Sequence, residues 1–137
     1  MINLAIRSAQ KDDIYEVQHW LALDSPHGFS LDESVEFGGK VDGWVAIDGE
    51  EIVAYASVKE DNSRQARISF IVKPSRRREG IAKTFIPMLL ESEHIGSFMR
   101  ITGASALGDT AAKKVLIAAR FREIGYDDNG QILFERR

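Results

Sequence analysis

Between residues 67 and 89 the chain gathers the residue types that bind an anion. Arg76, Arg77 and Arg78 stand together, Glu79 and Gly80 follow, and apolar residues then recur at helical spacing: Ile81, Phe85, Met88 and Leu89. Upstream, Ile68, Phe70 and Val72 alternate with Arg67, Ser69 and Ile71, the period of two of a strand. Pro74 has no N–H to donate and ends that ladder. The pattern predicts a strand, a basic turn and a helix. The first N–H groups of a helix lack intrahelical partners, and the macrodipole adds about half a positive charge there. Glycine at position 80 lets a ligand approach those groups closely. Such a site suits a phosphate. A Walker-type loop is excluded, because Gly-x-x-x-x-Gly-Lys-Ser/Thr does not occur. The bland alternative is a basic surface turn that caps a helix.

Val72-x-Pro74 followed by Arg77-x-x-Gly80-x-Ala82 resembles the acetyl-CoA pyrophosphate loop of the GNAT family of N-acetyltransferases, whose pattern is Gln/Arg-x-x-Gly-x-Gly/Ala. The resemblance implies acetyl-CoA as cosubstrate and acetyl transfer to a primary amine by direct attack in a ternary complex. It implies that main-chain groups at Phe70, Ile71 and Val72 bind pantetheine and polarise the acetyl carbonyl. Main-chain N–H groups from Arg77 through Arg78, Glu79, Gly80, Ile81 and Ala82 to Lys83 would hold the pyrophosphate. The arginine and Lys83 side chains would add charge near it. Holding the amine against an activated acyl carbon supplies much of the rate, and an aimed N–H stabilises the oxyanion.

The reaction also needs an acid for the departing thiolate and a base for the incoming ammonium. Here the sequence departs from the family. The family's last helix usually begins with asparagine and ends Leu-Tyr-x-x-x-Gly-Phe, with the tyrosine as proton donor. The matching positions are Asp109, Val115-Leu116, Arg120 and Phe121. The resemblance puts Asp109 and Leu116 beside the cofactor, but leucine cannot donate a proton. The glutamate often used as base on the loop strand is missing too; Ser69 and Arg67 hold that face. Tyr126 and Tyr55 are candidate acids, each more simply read as a strand-packing aromatic. Asp32, Glu33 and Glu36 are candidate bases, in a region that lines the family's acceptor pocket; a solvated helix face is the simpler reading. Two alternatives follow. One is a degenerate domain that binds acetyl-CoA without turnover. The other is a nucleic-acid-associated protein that sets Arg76, Arg77 and Arg78 on phosphates. Sequence does not specify the acceptor amine.

The elements that must position these residues follow from the rest of the chain. Its 137 residues predict one domain, 1–137, long enough to bury a core. With 44% hydrophobic and 28% charged residues, it falls among ordinary globular proteins. Lack of cysteine excludes disulfides, thiolate metal sites and a cysteine nucleophile. His19, His27 and His94 have no metal-ligand spacing. No apolar run reaches the length of a membrane span, and Met1-Ile2-Asn3 does not begin a signal peptide, so the cytoplasm is the expected compartment. A net charge of -3 argues against a general nucleic-acid binder.

Strand pattern runs from Asn3 to Ser8, and helix pattern from Gln10 to Asp24 with Ile14, Val17 and Leu21 on one face. Asp12 and Asp13 suit its first turn. Ser30 to Phe37 predicts a short second helix. Strands at Trp44–Ile47 and Ile52–Val58 meet through Asp48-Gly49, a hairpin signal. After the loop helix come a strand from Phe98 to Ala104 and a last helix from Gly108-Asp109-Thr110. Ala112, Val115, Leu116 and Ala119 share one face of it. Two short strands, around 124–127 and 132–135, flank Asn129-Gly130. Pro87 falls inside the loop helix and predicts a kink near Lys83. The order matches the GNAT fold end to end: an α/β (α+β) protein with a mixed, mostly antiparallel sheet of about seven strands and about four helices. The family often dimerises, and the last strands end in Phe134 and Glu135-Arg136-Arg137, so the resemblance implies a homodimer at an exposed edge.

Overall fold

The computed structural model describes residues 3–23, 41–60, 64–92, 95, 100–105, 110–126, 128 and 130–137. In chain order these form β1 (Leu4–Ser8), α1 (Lys11–Leu23), β2 (Val41–Asp48), β3 (Glu51–Glu60) and β4 (Gln65–Val72). A 3-10 turn (Pro74–Arg76) leads to α2 (Ile81–Glu91), followed by β5 (Arg100–Ser105), α3 (Thr110–Ala118), β6 (Arg122–Tyr126) and β7 (Ile132–Arg136). The seven strands make one sheet in the order β1-β2-β3-β4-β5-β7-β6. Every pairing is antiparallel except β4 with β5. The expected mixed sheet is present. The expected helix at Ser30 to Phe37, with Asp32, Glu33 and Glu36, lies outside the described residues, as does Asp109. Among the described residues no helix is long and apolar enough to cross a membrane.

Alternation along the strands splits the core in two. On one face Ala54, Ala56, Ala66, Ile68, Ile101 and Phe134 pack against Ile81, Phe85 and Leu89 of α2 and Val115 and Leu116 of α3. On the other, Val45, Tyr55 and Ile71 meet Ile14, Val17 and Trp20 of α1. Asp13 secures the start of α1. Its buried carboxylate accepts the Gln10 N–H at 2.7 Å and two bonds from the Arg7 guanidinium at 2.6 and 3.0 Å. That arrangement caps the helix and ties it to β1. The Arg7 hydrogen bonds hold the Asp13 carboxyl below the usual carboxylate range.

Three local details differ from the sequence pattern. The β2–β3 turn is Gly49-Glu50, one residue later than Asp48-Gly49, because Asp48 still pairs with Glu51 and the positive φ falls on Gly49. The α2 helix runs on through Pro87 to Glu91. The missing bond there would have been to the carbonyl of Lys83, an exposed residue, so water can reach that turn. The last correction concerns the C-terminus. The strand that carries Phe134 and Glu135 is interior, between β5 and β6, and Glu135 is only 3% exposed. The open edge on that side belongs to β6.

Candidate active site

β3 pairs with β4 along its length, from Glu60↔Ala66 to Ala54↔Val72. β5 pairs only with Gln65, Ala66 and Arg67 of β4, then continues beside β7 as far as Ser105↔Ile132. From Ile68 to Val72, therefore, β4 has no strand partner on its β5 side among the described residues. Five residues of extended chain leave a run of main-chain N–H and C=O groups about 16 Å long facing a gap. Parallel strands pair evenly as long as they stay together, so the parting at Arg67↔Thr102 is a built feature of this sheet.

The two sides of the gap differ. On the α2 and α3 side, Ile68, Phe70 and Val72 belong to the large core. Leu116 is fully buried there, and a Cβ built on Gly103 would lie 3.0 Å from its Cδ2 and 3.5 Å from the Ile68 Cγ2. Leu116 thus bridges β4 and β5 just past their last pair, which only glycine at 103 permits. Its placement is that of a core residue. The other side carries Arg67 (exposed) and Ser69, Thr102 and Ala104 (half-buried). Ile71, also on that side, is covered by α1.

The chain leaves β4 into the basic turn. The Lys73 N–H donates to the Val53 carbonyl at 2.8 Å, so β3 still holds the strand's exit. Arg78 and Gly80 both adopt positive φ (67° and 79°). Gly80 is the N-cap of α2, with no side-chain cap hydrogen bond, and a Cβ there would project into open space. The Thr84 N–H is the first to return to the Gly80 carbonyl, at 3.2 Å. The N–H groups of Ile81, Ala82 and Lys83 precede it and point out of the helix end. The side chains of Ile81 and Ala82 are buried, whereas Lys83 is exposed.

The three arginines divide their labour. Arg76 is spoken for: Nη1 donates to Glu51 at 2.6 Å, Nη2 to Asp48 at 2.6 Å, and Nε to Glu79 at 3.0 Å. These acids raise its already high pKa, Asp48 most. Lys73 adds a bond to Glu51 at 2.9 Å and depresses the Glu51 carboxyl. The Glu79 side chain therefore serves the turn itself. Arg77 directs Nε at the Val72 carbonyl at 3.4 Å. Arg78 is exposed. Sequence reading missed Asp48 and Glu51, although their signal was present: an acidic hairpin end, Asp48-Gly49-Glu50-Glu51, with no other charge to neutralise it nearby in sequence.

The candidate acids are not at the gap. Tyr55 is fully buried in the α1 cluster, and its hydroxyl lies against β2, 2.8 Å from where a Gly43 Cβ would be. Tyr126 is 68% exposed on the edge strand β6, paired with Ile132, so β7 and β5 separate it from β4. Ser69 does lie on β4 beside the gap, opposite Ser57 of β3. α3 ends with Arg120 in the left-handed region (φ 70°), while the Phe121 N–H bonds the Leu116 carbonyl at 3.0 Å and the Arg120 N–H the Ile117 carbonyl at 3.0 Å. This is the helix stop that glycine normally serves, with buried Phe121 closing on buried Leu116.

A mixed sheet that parts between its two parallel strands, beside a glycine-capped helix fed by the first of them, has the architecture of the N-acetyltransferases. A sequence profile of the acetyltransferase (GNAT) family matches residues 6–94, well over half of the chain, and the protein belongs to that family. The match spans the basic turn and ends before β5, so it leaves out the helix where the sequence departs most. No curated protein matches by sequence. Among solved structures, spermidine N-acetyltransferase from Vibrio cholerae, bound to CoA and spermine, aligns at TM-score 0.76 and 17% identity, over 96% of this chain and 92% of its own. Diaminobutyrate acetyltransferase from Paenibacillus lautus, with L-2,4-diaminobutyric acid and coenzyme A, gives 0.74 and 16%, over 98% and 95%. The ribosomal-protein-S18-alanine N-acetyltransferase from Escherichia coli gives 0.74 and 14%, over 97% and 92%. At these identities the likeness is one of fold.

Proposed function

We propose that the protein transfers the acetyl group of acetyl-CoA to a primary amine by direct attack in a ternary complex. The observation that carries this reading is the continuity between the gap and the anion site. β4 stays unpaired towards β5 from Ile68 to Val72, and the same chain then turns into the Gly80-capped end of α2. Main-chain groups of Phe70, Ile71 and Val72 suit the amides of pantetheine. The N–H groups of Ile81, Ala82 and Lys83, with the helix dipole behind them, suit the pyrophosphate. Arg77, Arg78 and Lys83 add positive charge, while Arg76 braces the turn. A neutral amine forms the new C–N bond as the C–S bond breaks, the thiolate takes up a proton, and the amine nitrogen loses one. Water carries those protons in this reading, since Leu116 occupies the position of the family's tyrosine. That same leucine favours a second reading, a module that binds acetyl-CoA without turnover.

Gly80→Asn separates backbone strain from occlusion, because asparagine tolerates the left-handed region while filling the space in front of the N–H groups. Calorimetry should show acetyl-CoA binding to the wild type and none to a folded Gly80→Asn variant. Equal binding by both would discard the anion site. Thiol release with a panel of amines then distinguishes the two readings: binding without release leaves the module.

A further inference from the structure

We propose that the hydroxyls of Ser69 and Thr102 hold the attacking amine and a proton-carrying water at the closed end of the β4–β5 gap, with Ser69 in contact with the amine. The inference rests on the acetyltransferase reading and names side chains at its reaction centre. In that reading the pyrophosphate lies beyond Val72. The rest of the cofactor then runs back along β4 towards Ile68, and the thioester falls where the gap closes. The register fixes that end. Arg67↔Thr102 is the last pair of β4 with β5, and Ser69 stands two residues further along β4, about 7 Å.

Alternation sorts the side chains at the closed end. On the α2 and α3 side, Leu116 packs against Ile68 and Gly103, and neither it nor Ile68 has a group that exchanges a proton. Proton traffic therefore belongs to the other side. From 68 to 72, β4 turns Ser69 and Ile71 that way. Ile71 is buried beneath α1, whereas Ser69 is half-buried, opposite Ser57 of β3. Thr102, also half-buried, shares this face because it pairs with Arg67. Two neutral hydroxyls thus flank the closed end, one from each wall. A hydroxyl has one donor and two acceptor sites, so the Ser69 Oγ can accept an amine N–H while it donates to water. That contact turns the nitrogen lone pair towards the acyl carbon. The C–N bond forms, the C–S bond breaks, and its electron pair stays on sulfur. Nitrogen gives one proton to water and the thiolate takes one from water, so the net transfer is one proton from nitrogen to sulfur. Neither hydroxyl ionises.

The full chain is assayed by thiol release from acetyl-CoA with ethanolamine as the probe amine, beside calorimetry with acetyl-CoA alone. Ser69→Ala should lower kcat by about tenfold, with acetyl-CoA affinity held within about twofold. Ser69→Thr keeps a hydroxyl on a strand and should recover most of the rate. Thr102→Val, which keeps the shape and removes the hydroxyl, should also lower kcat, and Thr102→Ser should not. Ser57→Ala removes the neighbouring hydroxyl one strand away from the gap and should leave the rate unchanged. Full activity in Ser69→Ala, or an equal loss in Ser57→Ala, overturns the proposal. If acetyl-CoA binds but ethanolamine releases no thiol, NMR decides: the amide shifts of Ser69 and Thr102 should differ between the CoA and acetyl-CoA complexes. Identical shifts at both residues would place the acetyl group elsewhere and refute the inference. Failure of acetyl-CoA to bind at all removes the acetyltransferase reading, and this inference with it.

Discussion

Leu116 bears most directly on the chemistry. The sequence resemblance sets it against the family's tyrosine, and its side chain is locked between Gly103 and Ile68 with no exposed surface. A tyrosine there would have to displace β4 or β5, since even a methyl group on Gly103 would already crowd it. Leu116→Tyr should therefore cost ~1–3 kcal/mol by overpacking and should not raise turnover. Leu116→Met, close in volume, should cost less than ~1.5 kcal/mol. Thermal melts beside thiol-release kinetics check both; a stable Leu116→Tyr enzyme with faster transfer would show that the site does accept a phenol. Helical spacing made Leu116 legible as a core residue, and its place in a strand made Tyr55 legible as a packing aromatic. Glu135 was not legible. A glutamate between phenylalanine and two arginines at a chain end reads as surface, and only the return of β7 between β5 and β6 buries it among distant Arg100 and Arg122.

The basic turn works as an element because another element braces it. Arg76 reaches back across Pro74 to Asp48 and Glu51 at the β2–β3 hairpin, and forward to Glu79. It thereby fixes both ends of the segment that must place Arg78 and Gly80 in the left-handed region. Arg76→Ala should weaken acetyl-CoA binding several-fold although the Arg76 guanidinium is engaged by Asp48, Glu51 and Glu79, and Arg76→Lys should recover only part, since one ammonium cannot span three carboxylates. Calorimetry should show the loss in affinity, and kcat at saturating acetyl-CoA should change little. A larger fall in kcat than in affinity would place Arg76 at the reaction instead. The strand, turn and helix were legible from alternation, Pro74 and Gly80. The division among the arginines was not, because three identical residues in sequence differ only in what the folded hairpin brings opposite them.

At the scale of the whole molecule, the sheet has a weak seam where the proposed reaction needs a gap. The β5–β7–β6 ribbon is joined to β4 by three residue pairs, so the far wall of the gap depends on what holds that ribbon together. Glu135 is central to it, bonding Arg100 of β5 and Arg122 of β6 from within β7. The Arg122 and Arg100 hydrogen bonds, helped by Arg137, lower its carboxyl from 4.5 to about 2. An unfolded chain therefore takes up this proton before the folded one does as pH falls. The stabilisation is complete above about pH 4.5, declines between there and about pH 2, and is absent below. Asp13, lowered by Arg7, adds a loss of the same sign in acid. Glu135→Gln should therefore be less stable than wild type at pH 7, and the two should converge as pH approaches 2. Urea unfolding at pH 7, 4 and 2.5 measures the difference, and hydrogen exchange should find β5, β6 and β7 opening first in acid. Parallel stability curves for the two proteins would show that the Glu135 carboxylate does not hold the ribbon. The gap would then owe its far wall to the packing of Phe134, Ile101 and Leu116 alone.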